Sequence, residues 1–142
     1  MNSTLPLRRS LGRTLAAAVA ASRAWRALLA LLIVAVSCLA LVPKPPTGID
    51  LGWDKLNHML AFTALAIAAW LAFPARLRTR LFSLCVLLAF GGLIEILQLS
   101  VPGRSAEWAD LFADALDIGL GAAIAFGVLH TIASAPKRAA RL

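Results

Sequence analysis

The sequence has no tyrosine, only two cysteines and few charged residues. Charged residues make up 15% of the chain and hydrophobic residues 61%, whereas about a quarter of a soluble domain is usually charged. A chain this poor in charge cannot cover a folded surface in water, so the composition predicts a membrane protein. Regular alternation of polar and apolar residues is also missing, which argues against an outer-membrane barrel.

Four apolar stretches have the length of about 20 residues that a membrane-spanning helix needs. A proline stands just beyond each stretch and predicts where the helix stops. The connections are short, which favours antiparallel neighbours in direct contact. We therefore expect an all-α integral membrane four-helix bundle with short loops, in a domain covering residues 24–135. Its predicted spans are about 25–42, 56–73, 81–101 and 108–133.

Basic residues give the chain a net charge of +7 but flank the apolar stretches. Nucleic-acid binding needs a clustered basic face, so no nucleic-acid partner is expected. Eleven of the fourteen basic residues fall on one side of the predicted bundle. The positive-inside rule then places both termini on the cytoplasmic side of a bacterial inner membrane. Residues 1–23 form an amphipathic or disordered basic segment, and residues 136–142 form a basic tail.

The two cysteines, Cys38 and Cys85, lie inside apolar stretches and match neither a disulfide framework nor a metal-binding spacing. We expect both to be buried as small apolar side chains. Residues 35–38 loosely resemble a lipoprotein cleavage site, but cleavage there would remove the first span of an otherwise complete bundle.

The acidic residues all fall in the half of the bundle that is predicted to face outward. Glu95 and Asp114 lie deepest, each about 9 Å from the interface at a rise of about 1.5 Å per residue. Ionisable groups inside a membrane are costly and typically face a protein interior or a wet cavity. The seven acidic residues are Asp50, Asp54, Glu95, Glu107, Asp110, Asp114 and Asp117.

Spacings of three or four residues place polar side chains on one face of each of the last three helices. We expect these faces to meet in one polar site near the outer surface. Several carboxylates there need a proton or a divalent cation, such as Mg²⁺ or Ca²⁺, to neutralise them. The candidate binding residues are Asp54, Lys55, His58, Glu95, Gln98, Arg104, Asp110, Asp114 and Asp117.

Within this set, the candidate catalytic residues are Glu95, His58 and Asp114, since a buried carboxylate beside a histidine suits acid–base chemistry. The candidate metal ligands are Glu95, Asp110 and Asp114. Hydrogen bonding between helices is the alternative role, and for Gln98 it is the preferred one. The nearby glycines are expected to allow close helix packing; they are Gly91, Gly92, Gly119 and Gly121.

Residues 53–121 resemble the VanZ-like family in the order and spacing of their polar residues. The matching elements are Asp54-Lys55-x-x-His58-x-x-x-Phe62, Glu95-x-x-Gln98, Pro102-Gly103-Arg104 and Asp110-x-x-x-Asp114. The family usually has Asn where this chain has Asp114 and Gly where it has Asp117, so this site is more acidic. The founding member is linked to teicoplanin resistance, and the resemblance therefore implies a role in the cell envelope.

Three functions are compatible with these residues. The first is binding of a lipid or lipid-linked cell-wall precursor, with Lys55 and Arg104 on its phosphate and a link to glycopeptide antibiotic resistance. The second is a membrane-embedded hydrolase or transferase that uses the same polar residues, although no nucleophile motif is present. The third is a structural subunit of a larger membrane complex. The sequence does not fix the oligomeric state.

Overall fold

The computed structural model describes residues 5–43, 54–73, 76–102 and 108–139, with side chains over 21–43, 56, 58–73, 76–102 and 108–131. Four α-helices follow one another along the chain, and no strand occurs within the described residues. Their bounds are Leu5–Ala40 for α1, Asp54–Ala72 for α2, Leu77–Gln98 for α3 and Trp108–Ala139 for α4. The predicted all-α four-helix bundle is confirmed.

Three helices contain segments long and apolar enough to cross a membrane. These segments are Ala21–Ala40 of α1, Leu77–Gln98 of α3 and Trp108–Thr131 of α4. The apolar part of α2, His58–Ala72, is shorter. The whole of α2 has 19 residues, a length of about 28 Å at about 1.5 Å per residue, close to the thickness of the hydrocarbon core.

Helix α2 occupies the centre of the bundle and contacts each of the other three helices, α4 most extensively. Its buried residues include Phe62, Leu65 and Trp70, interspersed with four buried alanines. Small side chains allow neighbouring backbones to approach closely, which is how helices pack in membranes. The centre of the fold therefore depends on small residues around a few large ones.

Gly121 of α4 marks the closest approach between α4 and α2. A Cβ at this position would lie 2.5 Å from the carbonyl oxygen of Thr63 and 2.8 Å from the Cβ of Ala66. The Thr63 hydroxyl also donates a hydrogen bond of 3.3 Å to the carbonyl oxygen of Asp117, one turn before Gly121. Glycine is required here because a backbone atom, rather than a flexible side chain, occupies the space.

The exterior of the bundle is apolar and part of its interior is polar. Exposed side chains include Leu31, Phe82, Ile96 and Leu116, while four polar side chains are buried among the last two helices. This is the reverse of a soluble protein and suits a lipid environment, where apolar surface carries no cost. The buried four are Glu95, Gln98, Asp114 and Asp117.

Two details differ from the sequence-based expectations. Cys38 and Cys85 are exposed on the apolar exterior and not buried, since a bilayer accepts small apolar side chains there as readily as a core does. Helix α4 continues to Ala139, beyond the stop that Pro136 predicts. A proline removes one backbone hydrogen bond but does not always terminate a helix.

Contacts between the helices define two ends of the bundle. At the first, which we call the acidic end, α2 and α4 begin and α1 and α3 finish; His58, Asp114 and Gln98 lie there. At the second, which we call the basic end, α2 finishes and α3 begins; Arg26 and Arg80 contact the last residues of α2 there. The helices alternate in direction, as the short predicted loops required.

Candidate functional site

A histidine–aspartate pair joins α2 to α4 at the acidic end. His58 Nδ1 lies 3.5 Å from Asp114 Oδ1, and the Asp114 side chain is 1% exposed. This distance is at the outer limit of a hydrogen bond, and neither atom has a hydrogen-bond partner within the described residues. The contact is therefore an electrostatic one between two polar groups, held in an apolar bundle.

Further carboxylates surround this pair. The charges of Asp110, Asp114 and Glu95 all act on His58, and Asp114 and His58 both act on Asp117. Asp117 is 8% exposed, and its Oδ2 has no hydrogen-bond partner among the described residues. Carboxylates of α3 and α4 are thus near enough to His58 for their charges to act on it.

Gly91 of α3 makes room for Asp114. A Cβ at Gly91 would collide with Asp114 Oδ2 and would lie 3.2 Å from the ring of Phe62. The Phe62 ring in turn stacks on His58, with their centroids 6.4 Å apart, and contacts Phe90. The buried carboxylate is therefore enclosed by a glycine surface and an aromatic ring, and solvent does not reach it.

Glu95 lies one turn after Gly91 and belongs to a different surface. It lines a groove of about 620 Å³ between α3 and α4 that is open to the exterior of the bundle. The rest of the lining comes from apolar and aromatic residues and glycine, and includes Gly92, Leu99, Trp108 and Leu111. The carboxylate of Glu95, itself 7% exposed, is thus a single acidic group in an apolar groove.

Gln98 has a structural contact. Its Nε2 donates a hydrogen bond of 3.1 Å to the carbonyl oxygen of Ala40, the last residue of α1. The last carbonyls of a helix lack partners within that helix, so Gln98 satisfies one of them and ties α1 to α3. This contact is an interhelical hydrogen bond, the role that the sequence favours for Gln98.

The structure brings together His58, Asp110, Asp114, Asp117 and Glu95 at one end of the bundle. Asp54 and Lys55 begin α2, but their side chains lie outside the described set, and Arg104 lies outside the described residues altogether. Among described side chains, no group of three or more His, Cys, Asp or Glu residues could hold a metal ion.

Two features of the site were not identified from the sequence. The groove between α3 and α4 depends on the relative position of two helices, which no residue pattern specifies. The enclosing role of Phe62 depends on its position between α3 and Asp114 of α4. A signal for the first did exist, since Gly92 lies three residues before Glu95 and leaves a gap on the helix surface there.

Residues 20–132 match the sequence model of the VanZ/LLP1 family, which therefore spans most of the chain. No curated protein and no solved structure matches the chain.

Proposed function

Because the chain belongs to the VanZ-like family, we propose that it is a bacterial inner-membrane protein that binds a lipid or a lipid-linked precursor at its acidic end. In this proposal, an apolar chain lies in the groove between α3 and α4, and the polar head group lies among the carboxylates. Both termini face the cytoplasm, so the site meets the outer leaflet.

The observation that carries the proposal is the position of Glu95 in the groove. A carboxylate that serves packing alone is expected to be turned away from lipid and from any groove that opens towards it. Glu95 instead lines a groove that is open to the exterior and about 620 Å³ in volume, within the usual range for ligand sites. An acidic group in an otherwise apolar groove suits a molecule that is itself apolar at one end and polar at the other.

The chemistry of the head group follows from the charges. Carboxylates accept hydrogen bonds only, so Glu95 and Asp110 would bind hydroxyl or ammonium donors. Lys55 and Arg104 would meet a phosphate, as the sequence suggests. A lipid-linked cell-wall precursor combines sugar hydroxyls with phosphate, and its sequestration would connect this protein to glycopeptide resistance.

Two leucine substitutions test the groove. Gly92→Leu would fill it, since a Cβ at Gly92 meets only Leu111, at 3.8 Å. Gly119→Leu is the matched control, because Gly119 has nothing within 4 Å and does not line the groove. We expect lipid that co-purifies with the wild type, measured by mass spectrometry, to be lost from Gly92→Leu and retained by Gly119→Leu. Equal lipid retention by the two variants would exclude the groove as the binding site.

The His58–Asp114 contact favours a second candidate function. An aspartate beside Nδ1 of a histidine can orient the ring and leave Nε2 to act as a general base. In this version the protein hydrolyses or transfers part of the bound lipid, with His58 and Glu95 as base and acid. Incubation with bacterial lipid extract should give a product that disappears with both His58→Gln and Glu95→Gln. No difference between wild type and these variants would remove the enzymatic candidate but leave lipid binding untouched.

A further inference from the structure

Two arginines from different helices converge on the end of α2 at the basic end of the bundle. Arg26 of α1 donates from Nε to the carbonyl oxygen of Ala72, at 3.2 Å. Arg80 of α3 donates from Nε to the carbonyl oxygen of Phe73, the next residue, at 3.3 Å. Helix α2 ends between them, and its terminal carbonyls need such partners.

Aromatic rings fix both guanidinium groups further. The Arg26 guanidinium lies 5.3 Å from the centroid of the Phe73 ring, and that of Arg80 lies 4.9 Å from the Trp70 ring. Both distances are within the range of a cation–π interaction. The two charges are thus held in place before any ligand arrives, which lowers the entropic cost of binding.

The sequence at the basic end has an excess of positive charge. The parts of the chain near the basic end contain no Asp or Glu. These parts fall within residues 1–49, 55–94 and 118–142. The end of α2 contributes only about half a negative charge through its dipole. The positive charges of Arg26 and Arg80 therefore attract an anion from outside the chain.

The depth of the site indicates which anion. Arg26 lies five residues inside the apolar segment that begins at Ala21, and Arg80 lies three inside the one that begins at Leu77. At a rise of about 1.5 Å per residue, these positions are at the boundary between head groups and hydrocarbon. A lipid phosphate sits at this level with its acyl chains along the apolar exterior, whereas a free anion would have to leave water.

We propose that Arg26 and Arg80 form a binding site for the phosphate of an anionic phospholipid, which links α1 and α3 across the end of α2. The contacts with α2 engage Nε of each arginine, and the planar fork of a guanidinium matches the geometry of a phosphate, so the same side chain can bind both the helix end and a phosphate. This site is independent of the one at the acidic end.

Thermal unfolding of the purified protein in neutral detergent tests this proposal. Phosphatidylglycerol should raise Tm by a few degrees, since a ligand that binds only the folded state stabilises it. Phosphatidylcholine with the same acyl chains, and inorganic phosphate at the same concentration, should not. If inorganic phosphate raises Tm as much as phosphatidylglycerol does, the site binds free anions and the lipid proposal is wrong.

Matched arginine variants test whether Arg26 and Arg80 cause the rise in Tm. Arg26→Lys and Arg80→Lys keep the charge but lose the planar fork, and should lose most of the Tm rise caused by phosphatidylglycerol. Arg23→Lys and Arg78→Lys change exposed arginines nearby and should keep it. Should a variant unfold in detergent, native mass spectrometry of the wild type must show one tightly retained phosphatidylglycerol. An equal rise in all four variants, or no retained lipid, overturns the proposal.

Discussion

Replacing Gly91 by alanine tests whether Asp114 occupies the position that the structure gives it. The added methyl group would collide with Asp114 Oδ2 and would come within 3.2 and 3.3 Å of two atoms of the Phe62 ring. Asp114 and Phe62 are both almost completely buried, so neither side chain can move aside without displacing its neighbours. The variant should therefore be less stable than the wild type.

The magnitude follows from a comparison with the next residue. Overpacking a buried site costs about 1–3 kcal/mol, while a glycine-to-alanine change in a helix gains about 1 kcal/mol. At Gly92 the added Cβ meets only Leu111, at 3.8 Å. Gly92→Ala therefore gains helix propensity without the destabilisation that overpacking causes. Both variants gain the same helix propensity, so this contribution cancels when their stabilities are compared. Gly91→Ala should therefore be about 1–3 kcal/mol less stable than Gly92→Ala.

Unfolding by titration of a denaturing detergent into mild-detergent micelles measures this difference. The double variant Gly91→Ala with Asp114→Ala provides a further check, because removal of the carboxylate should recover part of the loss. If Gly91→Ala and Gly92→Ala unfold at the same point, Asp114 does not lie against Gly91 and the described site is wrong.

Three further substitutions have expected outcomes in the same unfolding assay. Gly121→Ala should destabilise the bundle, because its Cβ would lie 2.5 Å from the Thr63 carbonyl oxygen. Gly127→Ala is the control and should not destabilise it, because a Cβ there has nothing within 4 Å. Equal stability of the two variants would contradict the close packing of α4 on α2. His58→Phe should cost about 1–3 kcal/mol, since it removes the polar group that lies 3.5 Å from the buried Asp114 side chain. Adding Asp114→Leu should recover part of this loss, because the buried polar group is then removed as well; no recovery would mean that the shape of the histidine ring and not its polarity matters. Glu95→Gln should leave stability equal or higher, because a functional acid is kept at a cost to the fold; a clear loss would favour the structural-subunit alternative.

The helices and the grouping of polar residues could be predicted from the sequence because both depend on local patterns. The length of an apolar stretch predicts a membrane-spanning helix, and polar residues spaced three or four positions apart lie on the same face of that helix. These two patterns together assign His58, Glu95 and Asp114 to one end of the bundle. The same spacing assigns Gln98 to interhelical hydrogen bonding, although it does not identify the partner, the Ala40 carbonyl.

The parts that the sequence left open depend on how helices sit against one another. The division between an enclosed acid, Asp114, and an acid lining an open groove, Glu95, follows from the angle and depth of α3 against α4. Two of the four glycines expected to permit close packing do so, Gly91 and Gly121, whereas a Cβ at Gly92 would meet only Leu111, at 3.8 Å, and one at Gly119 would meet nothing within 4 Å. The sequence alone does not distinguish these four glycines. Their different environments become visible only once the helices are packed into the bundle.

The most direct test of the proposed function is whether a lipid chain lies in the groove beside Trp108. Trp108 lines that groove and is 89% exposed, so a brominated acyl chain there should quench its fluorescence. The protein would be purified in detergent and given one equivalent of brominated lipid, with Trp108→Phe used to identify the contribution of this tryptophan. We predict strong quenching of Trp108 that Gly92→Leu abolishes and Gly119→Leu preserves. Quenching that is weak in the wild type, or equal in both leucine variants, would contradict a lipid site in this groove.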